Sequence, residues 1–165
     1  MGQGAKLSHS TFNARGEEIA TKPVFREAFK RRRCLVVLDA FYEWKQVGPR
    51  DKQPYALALK AHGPMAMAGL YENWRSPTGE NVPSATIITC PPNALVAELH
   101  NRMPVILPPE TWPAWLGEEP AESGQLQAML APYPAELMRC WPVSKAVGNV
   151  KNNDPSLIEP IELAA

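Results

Sequence analysis

The sequence predicts an α+β fold built from short strands and short helices. Eighteen prolines in 165 residues exclude an all-helical bundle, because proline interrupts helices internally. Short apolar and β-branched runs are interspersed with brief amphipathic segments, and none is long enough for an extended helix. A chain of this length can bury one sizeable core. Mixed short elements around one core are typical of an α+β domain.

The first half of the chain predicts one helix and one hairpin. Segment 23–30 has its apolar residues on one stripe and opens with a proline, after Thr21 as a possible cap. Segment 34–38 is rich in β-branched residues and predicts a buried strand. The chain then runs through 41–45, and a polar loop turns it into 55–59 as the hairpin partner.

The second half predicts further strands and three helical segments. The predicted strands are 65–71, 84–89 and a closing edge strand at 157–161, while 143–149 reads as extended or loop. The predicted helices are one capped by Asn93 that continues to Leu99, and the segments 110–116 and 124–130.

Charge is balanced overall but unevenly distributed. The chain has 17 Lys/Arg and 17 Asp/Glu, yet residues 1–50 hold ten basic residues against five acids. This asymmetry permits a surface that faces a polyanion, whereas zero net charge argues against indiscriminate nucleic-acid binding. The apolar runs are too short to cross a bilayer and no signal segment is evident, so the chain is expected to be cytoplasmic.

The three cysteines, Cys34, Cys90 and Cys140, lack the CxxC spacing of metal sites and are odd in number. They predict neither a disulfide framework nor a zinc site, and they read as small buried hydrophobic residues. We therefore expect no metal and no cofactor.

Glu43 lies between Tyr42 and Trp44, directly after an apolar strand. A carboxylate among aromatic rings loses solvation, so its pKa should rise towards the range useful for proton transfer. The alternative is that strand alternation turns Glu43 to water while its neighbours pack.

His100 follows a predicted helix and precedes Arg102, a position typical of a tight turn at an element edge. Its imidazole can act as acid or base near neutral pH, although a lone histidine is commonly a hydrogen-bonded structural residue. Asn13 and Arg15 share one face of an extended chain, where Arg15 could pair with a phosphate. The alternative for this pair is a turn asparagine and a surface arginine.

Three consecutive arginines, Arg31 to Arg33, extend the first predicted helix. Such a run is commonly a solvated helix end, favoured by the helix dipole. A nucleic-acid surface would also need aromatic side chains for base stacking, and the candidates are Phe12, Tyr42, Trp44 and Trp74.

Taken in order, these motifs resemble the SRAP family, the SOS response-associated peptidase-like proteins that protect abasic sites in single-stranded DNA. The resemblance is carried by Asn13-Ala14-Arg15 with Glu17, Lys22-Pro23-Val24-Phe25-Arg26, Arg33-Cys34-Leu35, Phe41-Tyr42-Glu43-Trp44, Ala68-Gly69-Leu70-Tyr71, Thr86-Ile87-Ile88-Thr89, His100-Asn101-Arg102-Met103-Pro104 and the late Val143-Ser144-Lys145 stretch. It implies a single domain with a mainly antiparallel, barrel-like β-sheet core flanked by short helices.

The resemblance also implies a chemistry. In that family a cysteine follows the initiator methionine, its α-amine forms a Schiff base with the abasic aldehyde, and its thiol closes a thiazolidine crosslink. On matching positions, Asn13 would orient that cysteine, Glu43 would manage the amine proton, and His100 would assist sugar-ring opening. Arg15 and Arg102 would hold flanking phosphates, and we add Trp44 as a DNA contact.

Position 2 departs from the family pattern, because it is Gly2 and the usual Met-Cys-Gly-Arg opening has no counterpart. We therefore expect an N-terminally truncated SRAP-like domain over 11–165, preceded by a disordered segment at 1–10. The expected partner is single-stranded DNA with abasic sites, with no membrane contact and association with the nucleoid when DNA is bound. Three functions stay open: an abasic-site sensor whose full-length relatives crosslink DNA, a noncovalent single-stranded DNA-binding module, and a peptidase limited to self-processing.

Overall fold

Residues 12–163 are described by the computed structural model, and the strands in this range form two sheets. The strands are β1 (Asn13–Arg15), β2 (Arg33–Leu38), β3 (Phe41–Gly48), β4 (Asp51–Leu59), β5 (Met65–Arg75), β6 (Asn81–Cys90), β7 (Met103–Pro104) and β8 (Met138–Pro142). The α-helices are α1 (Arg26–Arg31), α2 (Ala94–Ala97), α3 (Trp112–Leu116) and α4 (Ser123–Ala128). Single 3-10 turns lie at Gly16–Glu18, Pro109–Thr111, Ala135–Leu137, Lys145–Gly148 and Pro155–Ile158. The predicted disordered segment 1–10 lies outside the described residues.

The larger sheet has the order β1-β6-β5-β2, with β7 also paired to β6, and the smaller has the order β3-β4-β8. Every strand pair is antiparallel except β1 with β6. The prediction of an α+β fold with a mainly antiparallel core is therefore confirmed. The sheets do not close into one barrel, because β2 and β3, although separated only by Asp39 and Ala40, each form the edge of a different sheet.

The core lies between the sheets and is centred on β5. Six consecutive residues of β5, from Met65 to Leu70, are buried, so both faces of the strand are covered at this end. Leu57 from the smaller sheet, Ile88 from β6 and Trp115 from α3 are fully buried in the same cluster. A Cβ atom on Gly69 would lie 3.0 Å from Cys34 Sγ, so the close packing of β2 on β5 requires glycine here.

The first helix begins later than the sequence predicts, at Arg26 rather than at residue 23. Thr21 does not cap it, since its hydroxyl donates to the Glu18 carbonyl at 3.2 Å. The chain turns instead around the Lys22 carbonyl, which accepts from the backbone N–H groups of Phe25 and Arg26. The predicted apolar stripe loses Val24, whose side chain is 58% exposed on this turn.

The predicted hairpin is confirmed, with Glu43 of β3 opposite Tyr55 of β4 and a register shift between Gln46 and Gly48. Segment 34–38 is a strand as predicted, but it is an edge strand rather than a buried one, and its Val37 is 61% exposed. The predicted helical segments are present: α2 and α4 are shorter than predicted, and 110–116 is a 3-10 turn that continues into α3. No helix within residues 12–163 is long and apolar enough to span a membrane.

The predicted closing strand at 157–161 is wrong. A 3-10 turn occupies Pro155–Ile158 because the side chain of Asp154 accepts from the Ser156 N–H and Pro155 fits the first helical position. In the described part of the chain, this segment pairs only through a single bridge between Val143 and Pro160. Proline lacks the N–H that would extend such a bridge into a ladder.

Candidate functional site

Two of the three polar motifs lie on either side of the end of β6. Asn13 and Arg15 belong to β1, which runs parallel to β6 and places Arg15 beside Thr89. β7 pairs with the other edge of β6, so Thr89 also lies beside Pro104 of the His100-to-Pro104 motif. The fold thus brings together two segments that are far apart in the sequence.

The side chain of Arg102 joins these segments directly. Its two terminal nitrogens donate to both carboxylate oxygens of Glu17, at 2.6 and 2.8 Å, in the 3-10 turn that follows β1. The same guanidinium donates to the Thr89 carbonyl at 2.7 Å. The hydrogen bonds from Arg102 lower the pKa of the Glu17 carboxyl to about 2, against the opposing effect of burial. Arg102 is therefore held in place by an ionised partner.

His100 lies at the end of α2, where its backbone N–H donates to the Val96 carbonyl at 2.9 Å. Its ring Nδ1 is 3.1 Å from both the N–H and the carbonyl oxygen of Arg102. An unprotonated Nδ1 accepts from that N–H, and a protonated Nδ1 donates to that carbonyl. The ring therefore has a hydrogen-bond partner at Nδ1 in either tautomer, which suits a group that passes protons.

Glu43 is half-buried on β3, within electrostatic reach of His100. Burial raises the pKa of its carboxyl, while positive charge on His100 and the Trp44 backbone N–H act in the opposite direction. The upward shift of the Glu43 pKa agrees with the sequence prediction. The side chain is half-buried and is not turned fully to water. A carboxyl with a raised pKa beside an anchored imidazole is suited to proton transfer.

Trp44 does not share the Glu43 face. Strand alternation places Tyr42 and Trp44 on the opposite side of β3, where they line a groove of about 540 Å³ together with the segment 147–158. The structure thus separates the predicted stacking residue from the carboxyl, and a DNA contact by Trp44 stays a prediction.

The two predicted phosphate-binding arginines differ in their surroundings. Arg15 is exposed, and among the described residues no ion pair involves it. Arg102 is engaged by Glu17 and Thr89, and its side chain is only 21% exposed. Arg15 is therefore the more available cation, and phosphate binding by either residue stays a prediction.

The arginine run at the end of α1 is largely structural, in line with the alternative interpretation of this motif. Arg33 donates to the carbonyls of Phe29 and Lys30 at the end of α1, and to that of Trp115 in α3. Arg32 pairs with Glu72 at 2.7 Å. The Arg33 hydrogen bonds satisfy carbonyls at helix ends that would otherwise lack donors, whereas Arg32 is held by an ion pair.

Sequence reasoning did not assign a role to Glu17 or Thr89, the two partners of Arg102. Glu17 is 85 residues from Arg102, so no local spacing could indicate the contact. The available signal was that Glu17 and Thr89 both belong to the motifs that carry the SRAP resemblance, which indicates neither their contact nor their role.

Thiolate and metal chemistry have little support within residues 12–163. Burial raises the pKa of Cys90 to about 11 and also raises the pKa values of Cys34 and Cys140, so these thiols are protonated at neutral pH. In the same range, no three His, Cys, Asp or Glu side chains are grouped to hold a metal ion.

Comparison with protein families identifies the fold. The family model described as SOS response associated peptidase (SRAP) matches residues 2–150. The chain belongs to the SRAP family. The match covers all three polar motifs and both sheets of the SRAP domain.

Curated SRAP relatives are named abasic site processing proteins. YoqW of Bacillus subtilis is 42% identical over 154 residues, covering 93% of this chain and 69% of that protein. HMCES of Gallus gallus is 34% identical over 180 residues, covering 96% of this chain and 53% of that protein. The chain thus spans about two thirds of the bacterial relative and about half of the vertebrate one.

A solved structure supports the same fold. The crystal structure of a protein from Bacteroides thetaiotaomicron superposes with a TM-score of 0.85 at 30% identity. The superposition covers 92% of this chain and 66% of that one, so this chain spans slightly less than two thirds of that protein.

Proposed function

We propose that this SRAP protein recognises abasic sites in single-stranded DNA, and that Glu43 and His100 transfer protons at the abasic sugar. The names of its relatives support abasic DNA as the partner. The observation that carries the proposal is a half-buried carboxyl within electrostatic reach of an imidazole anchored at Nδ1. His100 belongs to the segment that leads into β7 at the end of β6, and Glu43 acts on it from β3 of the smaller sheet.

Opening of the abasic sugar ring requires an acid and a base acting together. A protonated imidazole donates a proton to the ring oxygen, while a carboxylate takes the proton from the hydroxyl on the anomeric carbon. The C–O bond of the ring then breaks, and the anomeric carbon becomes the aldehyde. His100 and Glu43 are the residues proposed for these two roles. Asn13, exposed on β1, can both donate and accept a hydrogen bond at the same sugar.

Two outcomes are open for the aldehyde. The resemblance to the SRAP family implies a crosslink through an N-terminal cysteine, whose amine and thiol must belong to one residue. The α-nitrogens of Cys34, Cys90 and Cys140 are peptide amides, so none of these three residues could close a thiazolidine. Noncovalent recognition is the second candidate, and the amide-bound α-nitrogens of these cysteines are the observation that favours it.

Binding to matched oligonucleotides tests the proposal. Fluorescence anisotropy with a single-stranded oligonucleotide containing one abasic site should give an affinity at least about tenfold higher than with the intact strand. His100→Asn should abolish most of this preference. His62→Asn is the matched control, because His62 is exposed on a turn where its positive φ of 34° suits asparagine. Equal affinity for abasic and intact strands would overturn the proposal.

Borohydride reduction separates the two outcomes for the aldehyde. Reduction converts an imine to a stable amine, so a trapped protein–DNA adduct on a denaturing gel would favour the covalent candidate. Preference for abasic DNA without a trapped adduct would favour noncovalent recognition. A duplex arm with the same abasic site tests the single-strand requirement, which predicts weaker binding to the duplex.

A further inference from the structure

The link between Glu17 and Arg102 continues into His100. Glu17 lies in the 3-10 turn directly after the strand that carries Asn13, and it holds the Arg102 guanidinium at both oxygens. The backbone of the same arginine is hydrogen-bonded to the ring Nδ1 of His100. One continuous chain of contacts therefore runs from β1 to the imidazole.

The geometry fixes the guanidinium in one orientation. A paired fork of hydrogen bonds to a carboxylate defines both the plane and the direction of an arginine side chain. The third partner, the Thr89 carbonyl on β6, accepts from the same terminal nitrogen that binds Glu17 Oε2. The buried Nε of Arg102 has no partner among the described atoms, so the fork and Thr89 alone hold the group.

We propose that Glu17 is a positioning residue that acts through Arg102 to fix His100 relative to the strand carrying Asn13. Its importance for chemistry rests on the proposed function, but the positioning itself is a property of the free protein. Glu17 remains ionised at any pH near neutrality, because its partner favours the charged carboxylate. The clamp is therefore a permanent part of the site and does not depend on pH in the working range.

Glu18, the next residue of the same 3-10 turn, provides a matched control. Its carboxylate contacts only Lys22 among the described residues, at 3.4 Å, and both side chains are about half exposed. Glu18→Gln therefore removes the same charge from the same turn and keeps every hydrogen bond of the clamp, so it also controls for the through-space effect of a carboxylate on Arg102. Glu17→Gln keeps the shape of the side chain but loses one acceptor and the charge.

The test uses His100 as the reporter and His62, on a distant exposed turn, as its reference. In protein with labelled histidine rings, His100→Asn assigns the His100 resonance by nuclear magnetic resonance. Glu17→Gln should shift and broaden this resonance and leave that of His62 unchanged, and it should speed hydrogen exchange at the Arg102 amide by roughly tenfold. Arg102→Lys should reproduce the effect, because lysine keeps the charge but lacks the fork. Glu18→Gln should change neither signal.

The proposal is overturned if Glu17→Gln and Glu18→Gln give the same His100 resonance and the same Arg102 exchange rate. It is also overturned if Glu17→Gln disturbs the His62 resonance as strongly as that of His100, since that result shows a general role in folding. The spectra need no DNA, so a failure of the proposed function would not alter them. Unchanged spectra with an intact abasic preference would overturn this inference alone.

Discussion

At the scale of the residue, Glu43 shows how burial prepares a carboxyl for proton transfer. Its backbone is fixed on β3 opposite Tyr55, and its side chain is half-buried at this position. Burial raises its pKa because the charged form loses water, and His100 recovers part of that loss. The loss of hydration that raises the Glu43 pKa also means that its ionised form destabilises the folded state.

Glu43→Gln should therefore flatten the pH dependence of stability. A carboxyl whose pKa is raised in the folded state adds stability below its unfolded pKa and loses that contribution as the pH rises through the folded pKa. At neutral pH the variant should match or exceed the wild type, by less than about 1 kcal/mol because the group is still partly solvated. Urea unfolding at several pH values from weakly acid to neutral measures this. Glu119→Gln on the exposed surface is the control, and an identical effect there would contradict the account.

Residue-scale prediction from sequence gave the right direction for the Glu43 pKa shift but not its cause. The prediction relied on Tyr42 and Trp44, which the strand places on the opposite side of β3, so other parts of the fold bury the Glu43 carboxyl. The engagement of Arg102 by Glu17 could not be predicted, because the partners are 85 residues apart and meet only after β1 and β7 join β6. The sequence identified chemically capable groups, whereas the fold decides which of them are already paired.

At the scale of the element, α2 depends on Asn93 for its start and its position. The Asn93 side chain accepts from the Val96 N–H at 2.9 Å, and its amide donates to the Tyr133 carbonyl at 2.7 Å. This short helix ends at the turn that carries His100, whose N–H donates to Val96. Asn93 thus connects a predicted helix cap to the placement of the imidazole.

Substitution of Asn93 separates the cap from the tertiary contact. Asn93→Ala should destabilise the fold by about 2 to 3 kcal/mol, because it removes a cap and leaves a half-buried carbonyl without its donor. Asn93→Ser keeps an oxygen that can accept from the Val96 N–H and loses the donor to the Tyr133 carbonyl, so its loss should be smaller. Equilibrium unfolding in urea checks the order of the three proteins. Equal losses in both variants would show that the cap adds nothing.

Secondary-structure elements were predictable where residues within a few positions of each other determine a helix cap or a turn. The Asn93 cap and the hairpin of β3 with β4 follow from residues within a few positions. β1 and β8 escaped prediction because each is short, contains an arginine and gains its strand structure by pairing with a distant partner. The error at 157–161 has a local cause, since Asp154 caps a competing 3-10 turn.

At the scale of the whole molecule, the balanced charge of the chain limits its electrostatic attraction to any polyanion. Several of the basic residues are already paired with acids, including Lys30 with Glu27, Arg32 with Glu72 and Arg102 with Glu17. Net charge is zero, so general attraction to the phosphate backbone is weak. Recognition should therefore depend on the abasic site and on few phosphate contacts.

Salt dependence should be correspondingly shallow. With two or three phosphates bound, the logarithm of affinity for abasic single strands should fall with the logarithm of salt with a slope of about −1.4 to −2.1. Arg15→Gln should reduce the magnitude of this slope by about 0.7, because the exposed Arg15 is the proposed phosphate contact. Arg50→Gln, in the exposed β3–β4 turn, should leave the slope unchanged. A slope that Arg15→Gln does not alter would remove this residue from the interface.

The most direct test of the central claim is a double-mutant cycle on Glu43 and His100, with the abasic-to-intact affinity ratio as the measured quantity. If the two groups act on one sugar, Glu43→Gln and His100→Asn should each remove most of the preference for abasic DNA. The double variant should then lose no more of this preference than the single variant with the larger loss. Losses that multiply in the double variant would show two independent sites and would contradict the account.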